Sequence, residues 1–172
     1  MDIEIRRLTS MTEDECLALA ELLVITVDDG ASVGFLPPLD VETAAAYWAS
    51  VPEPSTRLFV AERAGRIVGS VQAQLATKAN GGHRAEIGKL LVHPDARRQG
   101  IARQLMVAAE RAILADGRSL VILDTRDGDP SNALYRQMGY VECGRIPHYA
   151  RSADGTLHTT VFYYKLLSAD AG

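Results

Sequence analysis

A cluster of cationic residues around one glycine is the first feature of this chain that could do chemistry. Three arginines surround Gly100 in the run Arg97-Arg98-Gln99-Gly100-Ile101-Ala102-Arg103. A short apolar strand is predicted before this run and an amphipathic helix after it. The first N–H groups of a helix have no internal acceptor, and the helix dipole favours negative charge there. The run therefore predicts a phosphate-binding turn.

Two acidic residues on neighbouring predicted strands could handle protons. They are Glu86 and Asp124. The two-residue period of a strand predicts a shared face for alternate positions, Glu86, Gly88, Leu90 and Val92. A carboxylate partly buried among apolar neighbours has a raised pKa, which suits a base near neutral pH. Acidic residues are depleted in strands, but each of these two could also be a salt-bridged strand residue.

The elements that must position these residues predict one mixed α/β domain over residues 1–172. Helices are predicted at 12–27, 40–48, 99–115 and 130–138. Strands are predicted at 3–8, 57–62, 67–75, 84–92, 120–125, from 140 onward and at 158–165. The two apolar strands at 84–92 and 120–125, joined by a helix, indicate a parallel βαβ unit.

Composition and charge exclude several function classes. The chain has 172 residues and a net charge of −4, which argues against a broad nucleic-acid surface. Its charged N-terminus does not read as a signal peptide, and no apolar run approaches the ~20 residues of a membrane span. The two cysteines are not in a CxxC spacing, so reduced thiols in the cytoplasm are expected. The four histidines have no zinc-like spacing, so no metal is predicted.

The run Arg97–Ala102 resembles the pyrophosphate loop of the GCN5-related N-acetyltransferases, which reads Gln or Arg, two residues, Gly, one residue, and Gly or Ala. A second stretch, Asn132-Ala133-Leu134-Tyr135-Arg136-Gln137-Met138-Gly139-Tyr140, is similar to the second motif of that family. The resemblance covers about residues 1–167. It implies the acyl-CoA N-acyltransferase fold, with a central twisted mixed sheet of about seven strands flanked by helices, and acetyl-CoA as co-substrate.

The resemblance also implies roles on the cofactor side. Backbone N–H groups of residues 97–103 would hold the pyrophosphate. Leu91 and Val92 would offer backbone groups to the pantetheine arm, where the fourth and fifth strands splay apart. Tyr135 matches the tyrosine that protonates the departing thiolate, and Asn132, one turn earlier, could bind the cofactor. Alternatively, Tyr135 could be an aromatic residue that only packs in the core, and Asn132 could be an ordinary asparagine at the start of a helix.

On the acceptor side, the family commonly places substrate contacts in the loop between the first two helices. Here that loop contains Ser32, Val33, Gly34 and Phe35. His148 and Tyr149 could line the same pocket or could simply end a strand. Glu86 is expected to be the base, and Asp124 could hold the ammonium group or share the work.

Within the family the chain is most similar to the tabtoxin resistance acetyltransferases, in residues 30–35, 84–86 with 89–90, 123–125 and 154–158. This similarity implies direct attack on acetyl-CoA by the amine of a small amino-acid-like molecule, with β-lactam toxins among the candidates. A protein or peptide N-acetyltransferase and a non-catalytic acyl-CoA sensor are the alternatives. No nucleic-acid or membrane partner is expected, and strand edges in this family allow a homodimer.

Overall fold

A seven-stranded mixed sheet forms the centre of the protein. The structure, a computed structural model, describes residues 2–168. The strands are β1 Ile3–Leu8, β2 Thr56–Arg63, β3 Arg66–Leu75, β4 Arg84–Val92, β5 Leu120–Arg126, β6 Val141–Arg151 and β7 Leu157–Leu166. Their order in the sheet is β1-β2-β3-β4-β5-β7-β6. Only β4 and β5 pair in parallel, and the other neighbours are antiparallel. The predicted fold class is confirmed.

Four helices flank the sheet, and their starts follow from local sequence. They are α1 Glu13–Asp28, α2 Val41–Ala49, α3 Ile101–Ala115 and α4 Ser131–Gln137. Thr12 and Glu15 form a reciprocal capping box at α1, and Asp40 caps α2 through the N–H of Thr43. The start of α3 has no side-chain cap, so its first N–H groups face outward unpaired.

The helices lie on opposite faces of the sheet. Buried side chains of α3 and Tyr135 of α4 share one core cluster with the β5 residues Val121 and Leu123. Buried side chains of α1 and α2 form a second cluster with Leu58, Val60 and Leu91. Because that second cluster contains no residue of β5, β6 or β7, this side of the sheet is uncovered there. We call the two sides the α3 face and the open face.

A β-bulge interrupts β4 and reverses its side-chain alternation. Gly88 pairs with Gln72 and Leu91 pairs with Ser70, so two β4 residues, Lys89 and Leu90, stand opposite a single β3 residue. Lys89 has a positive φ of 50°, and its carbonyl accepts a hydrogen bond of 3.0 Å from Ser70 Oγ. The bulge shifts every later side chain to the other face.

The expectation that Glu86, Gly88, Leu90 and Val92 share one face is therefore wrong. Leu90 and Val92 pack against the α3 cluster together with Ala85 and Ile87, whereas Leu91 belongs to the cluster on the other side. Glu86 and Gly88 remain on the open face. The strict two-residue period fails because the bulge adds one residue.

Element boundaries differ from the predictions mainly at two sites. Helix α3 begins at Ile101, so Gln99 and Gly100 precede the helix instead of opening it. Strand β6 extends to Arg151 and carries a second irregularity between Ile146 and Ala150. Among residues 2–168, no helix combines the length and the apolar character that crossing a bilayer requires.

Candidate active site

A gap opens in the sheet where β4 and β5 separate. The two strands share only three paired positions, Arg84 with Leu120, Ala85 with Val121 and Glu86 with Ile122. Beyond Glu86 the β5 side of β4 has no partner strand. The predicted splay is thus present, and backbone groups of Leu91 and Val92 border the gap. It leads from the α3 face to the open face, so a narrow molecule could pass between the strands.

The turn before α3 exposes an unbroken row of backbone donors. None of the six N–H groups of residues 98–103 finds an acceptor among the described residues, and the first bond of this region is from Gln104 N–H to the Gly100 carbonyl. Gly100 has φ +75° and Arg98 has φ +61°, so the turn is left-handed at both positions. Consecutive donors of this kind, at the positive end of a helix dipole, suit a diphosphate group.

The arginines of this turn have different partners. Arg97 pairs with Asp29 beside the C-terminus of α1 and also reaches the Val92 carbonyl, so its charge is largely balanced. Arg98 and Arg103 are exposed and form no ion pair with the described residues. Free positive charge beside the donors is therefore supplied by Arg98 and Arg103.

Tyr135 approaches the gap from the α3 face. Its ring is buried against Tyr140 and Tyr163, with centroid distances of 5.8 and 5.9 Å. Its hydroxyl makes no hydrogen bond with the described residues, and unlike that of Tyr140 it is not sealed from solvent. Burial raises the pKa of this hydroxyl, and the negative charges of Asp124 and Asp129 raise it further. Tyr135 therefore carries its proton at neutral pH and can donate it.

The side-chain amide of Asn132 is hydrogen-bonded within the protein, mainly to the loop between β5 and α4. Its Nδ2 donates to the carbonyls of Arg126 and Asp129, both at 2.9 Å, and its Oδ1 accepts from the Tyr163 hydroxyl at 2.8 Å. The side chain is 6% exposed. This geometry favours a positioning role for Asn132 over the cofactor contact expected from the sequence.

Replacing Asn132 by alanine is expected to lower the free energy of unfolding by about 2–4 kcal/mol, because one buried and two partly buried partners lose their hydrogen bonds. Tyr163→Phe removes only one of these bonds and should cost about 1 kcal/mol. Urea denaturation of both variants measures the difference. If the Asn132→Ala protein keeps its stability but binds the cofactor more weakly, Asn132 contacts the cofactor directly, as the sequence predicts.

The two carboxylates lie on the open face, on either side of the gap. Glu86 occupies the last paired position of β4, and Asp124 lies two residues beyond the last paired position of β5. Glu86 is exposed, so the expectation of a partly buried Glu86 is wrong. Asp124 is exposed on the open face as well, yet neighbouring atoms partly desolvate its carboxyl group. That desolvation raises its pKa, and the positive charge of Lys89 opposes the rise.

Lys89 is the residue of this site to which the sequence analysis gives no role. The bulge directs its side chain to the open face, where Nζ lies 5.8 Å from the ring centre of Phe35 and 5.3 Å from that of Tyr47. Burial lowers the pKa of this amine, while Asp124 and Glu86 act to raise it. A lysine among apolar strand residues is a signal, but its direction depends on a bulge that the sequence does not reveal.

The loop between α1 and α2 closes the site on the β4 side. Phe35 packs edge-to-face on Tyr47 at 5.3 Å. Gly34 has φ +88°, and a Cβ there would stand 3.8 Å from Lys89 Nζ, so the loop backbone itself approaches the amine. Val33 packs on the α1–α2 cluster, whereas Ser32 is exposed. Of this predicted substrate segment, Gly34 and Phe35 adjoin Lys89.

The site is bordered by β6 on the other side. Asp124 pairs with Phe162 of β7, and Tyr149 packs at a right angle on Phe162 with a centroid distance of 5.5 Å. Tyr149 is therefore near the open face beside Asp124. His148 sits in the β6 irregularity with φ +57° and has no described hydrogen bond. Tyr149 is thus brought to the site, and nothing in the geometry ties His148 to it.

No three or more His, Cys, Asp or Glu side chains of residues 2–168 form a group that could hold a metal ion.

Comparison with known sequences identifies relatives over most of the chain. Residues 13–140 match the Acetyltransferase (GNAT) family. The chain is 30% identical over 129 residues to an uncharacterized N-acetyltransferase from the hisH–hisA intergenic region of Azospirillum brasilense, covering 73% of this chain and 77% of that one. It is 32% identical over 112 residues to an IAA acetyltransferase from the same organism, covering 64% and 67%.

Solved structures share the fold at low sequence identity. An acetyltransferase from Salmonella typhimurium with its cofactor acetyl-CoA superposes with a TM-score of 0.82 at 17% identity, covering 100% of this chain and 98% of that one. A ribosomal-protein-alanine N-acetyltransferase from Brucella melitensis gives 0.81 at 23%, covering 95% and 99%. A phosphinothricin N-acetyltransferase gives 0.79 at 19%, covering 97% and 99%. With a family match over residues 13–140 and this fold, the chain belongs to the GNAT family and is an N-acetyltransferase that uses acetyl-CoA.

Proposed function

We propose that this enzyme acetylates the amine of a small amino-acid-like molecule by direct attack on acetyl-CoA. The observation that carries the proposal is the division of the site by the gap between β4 and β5. A phosphate-binding turn and a protonated Tyr135 lie on the α3 face, and the carboxylates Glu86 and Asp124 lie on the open face. The two halves of an acetyl transfer are thereby assigned to opposite sides of the sheet.

On the α3 face, the unpaired N–H groups of residues 98–103 bind the pyrophosphate, with Arg98 and Arg103 adding charge. The free edge of Leu91 and Val92 offers backbone groups to the pantetheine arm and guides it into the gap. Tyr135 donates its proton to the sulfur as the thiolate departs, because its hydroxyl is protonated and has no competing partner among residues 2–168.

On the open face, an incoming ammonium group must lose a proton before it can attack. We assign this proton to Asp124, which differs from the sequence-based expectation for Glu86. The raised pKa of Asp124 brings its basicity closer to that of an amine. The negative charge of Asp124 also raises the pKa of the Tyr135 hydroxyl across the gap. Glu86, exposed on the last paired position, is suited to attract and hold the ammonium group.

A small acceptor fits the boundaries of the open face better than an extended chain does. The Gly34–Phe35 segment closes one side, and the Tyr149–Phe162 pair borders the other. Arg126 also fixes the loop, since its Nη2 donates to the Gly30 carbonyl at 2.9 Å. The similarity to tabtoxin resistance enzymes makes β-lactam amino acids one class to test within this proposal.

The proposal also covers the cellular location and the oligomeric state of the enzyme. We place the enzyme in the cytoplasm, where the free thiols of Cys16 and Cys143 would stay reduced. A homodimer, expected from the resemblance, remains a prediction of that resemblance alone.

The substrate class is tested by a thiol-release assay with acetyl-CoA over amino acids, β-lactam amino acids and short peptides. We expect turnover with free amino-acid-like amines and none with peptides. Turnover of peptides alone would replace the proposal with a protein-modifying enzyme, and binding of acetyl-CoA without any transfer would indicate a sensor.

Replacing Gly100 by aspartate is expected to weaken acetyl-CoA binding by at least about tenfold, because a negative charge would face the pyrophosphate. A Cβ at Gly100 meets no atom within 4 Å, so steric clash is not the cause. Gly100→Asn is the matched control, since asparagine has a similar shape and tolerates the positive φ but adds no charge. Calorimetry should give clearly weaker binding for the aspartate variant than for the asparagine variant. Equal affinities would move the pyrophosphate elsewhere.

A further inference from the structure

Lys89 holds an ammonium group in an enclosure that gives it no counter-charge at close range. Two aromatic rings, Phe35 and Tyr47, lie beside its Nζ, and the Gly34 backbone approaches it from the loop. No carboxylate of the described residues forms an ion pair with it, and Nζ has no hydrogen-bond acceptor there. A partly desolvated cation of this kind gains more from an anion than a solvated one does.

Another cation near this loop, Arg126, already has its donors occupied. Arg126 Nε donates to Asp129 Oδ1 at 3.0 Å, Nη1 donates to Ser152 Oγ, and Nη2 donates to the Gly30 carbonyl. Arg126 therefore ties β5, the loop and the β6–β7 turn together and has little capacity left for a ligand. Lys89, by contrast, has all three ammonium hydrogens available.

The enclosure holds the lysine in place without neutralising it. Tyr47 is fixed by a hydrogen bond from Gln72 Nε2 to its hydroxyl at 2.9 Å, and Phe35 packs on Tyr47. The bulge geometry, held by Ser70 Oγ on the Lys89 carbonyl, sets the direction of the side chain. A flexible side chain is thereby placed in advance, which lowers the entropy cost of binding an anion.

We propose that Lys89 binds the carboxylate of the acceptor, so that the enzyme selects amines that carry a carboxylate close to the reacting nitrogen. This inference rests on the proposed acetylation of a small amine and names its substrate class. Asp124 and Glu86 attract the ammonium end of such a molecule, and Lys89 attracts its carboxylate end. Glu86 and Lys89 are on β4 and Asp124 is on the neighbouring β5 just beyond its last paired position, so the three side chains share the open face.

This layout distinguishes a zwitterion from a simple amine. A polyamine or an aralkylamine would leave Lys89 unpaired and would add a second positive charge beside it. An amino acid satisfies both signs of charge at once, and a site built for a charged group rejects the analogue that lacks it. Peptides acetylated at their N-terminus have no carboxylate at this distance.

The test compares acceptors that differ only by the carboxylate. Lysine with cadaverine, tyrosine with tyramine, and histidine with histamine form matched pairs for the thiol-release assay with acetyl-CoA. Wild-type enzyme should prefer the amino acid of any accepted pair by about 10- to 100-fold in kcat/KM. Lys89→Met should remove this preference mainly through KM of the amino acid, leaving the decarboxylated amine nearly unaffected. Lys78→Met, a change at an exposed lysine in the turn after β3, is the matched control and should keep the preference.

The outcomes separate the two proposals. If both members of a pair are acetylated equally by wild-type enzyme, Lys89 does not read a carboxylate, although the enzyme still acts on small amines. If Lys89→Met lowers kcat/KM for both acceptors of a pair to the same extent, Lys89 only holds the loop against the sheet and does not bind a carboxylate. If no amine of any pair and no amino acid or β-lactam amino acid of the wider panel is acetylated, the proposed function fails and this inference fails with it.

Discussion

Replacing Tyr135 by phenylalanine is expected to lower kcat by about a hundred- to ten-thousand-fold while the affinity for acetyl-CoA stays nearly unchanged. The thiolate of coenzyme A must take a proton as it leaves, and the Tyr135 hydroxyl is a donor without a partner in the described structure. Phenylalanine keeps the ring and its contacts with Tyr140 and Tyr163 but cannot donate. Steady-state kinetics and calorimetry separate the two effects.

We expect this change to leave the fold intact, because the Tyr135 hydroxyl makes no hydrogen bond within the described part of the chain that would be lost. Tyr140→Phe is the matched control. Tyr140 belongs to the same aromatic cluster and is 4% exposed, and its hydroxyl is buried without a hydrogen-bond partner among the residues that the structure describes. Removing that hydroxyl should leave turnover unchanged and stability equal or slightly higher. A Tyr135→Phe enzyme with full activity would show that the thiolate is protonated by solvent or by another group.

Local rules predicted most of the fold. The capping box at Thr12 and Glu15 set the start of α1 to within one residue, and β4 has the predicted bounds Arg84–Val92. These features depend on neighbouring residues alone, so sequence contains the needed information. Strand β6 was predicted only at its beginning. Nearly all residues of β6 are exposed, and a strand that buries neither face shows no alternation of apolar and polar residues.

The candidate site was predicted less completely, and the reason is the bulge in β4. One extra residue in the strand directs Lys89 to the open face and turns Leu90 and Val92 away from it. Such a bulge depends on pairing with β3 and on the Ser70 hydrogen bond, which link residues far apart in sequence. The two-residue period of a strand does not reveal the bulge. It therefore predicts that Leu90 and Val92 share a face with Glu86, and it gives no role to Lys89.

Asn132 illustrates a different limit. Its position one turn before Tyr135 correctly placed it near the β5–α4 junction. Which groups its amide would meet depends on the carbonyls of Arg126 and Asp129 and on the Tyr163 hydroxyl, which come from three separate parts of the chain. Motif spacing locates a residue near a site but does not decide whether it holds the ligand or the site itself.

Replacing Asp124 by asparagine is expected to lower kcat/KM for the amine by about a hundredfold or more at neutral pH. Asparagine keeps the shape and the position opposite Phe162 but cannot accept a proton from the ammonium group. Glu86→Gln is the matched comparison, since it removes a carboxylate from the same face on the other side of the gap. If Glu86 only attracts the ammonium group, this second change should act mainly through KM.

The dependence on pH gives the two carboxylates distinct signatures. Asp124 must be deprotonated to act as a base, so activity rises as pH passes upward through its pKa. Desolvation raises that pKa, which moves the acid limb of the kcat/KM profile to higher pH than for an ordinary aspartate. Asp124→Asn should abolish this limb. Its deficit should shrink at high pH, where the free amine no longer needs a base.

Kinetics of the two variants can therefore show whether the roles assigned to Asp124 and Glu86 should be exchanged. If Glu86→Gln loses turnover and the acid limb while Asp124→Asn changes only KM, Glu86 is the base, as the sequence first suggested. If neither variant loses turnover at any pH, the amine enters already neutral and both carboxylates serve only to attract it. The first of these reversals would still keep the carboxylates and Lys89 in one charged site, because their arrangement on the open face is fixed by the gap and the bulge and not by which acid takes the proton.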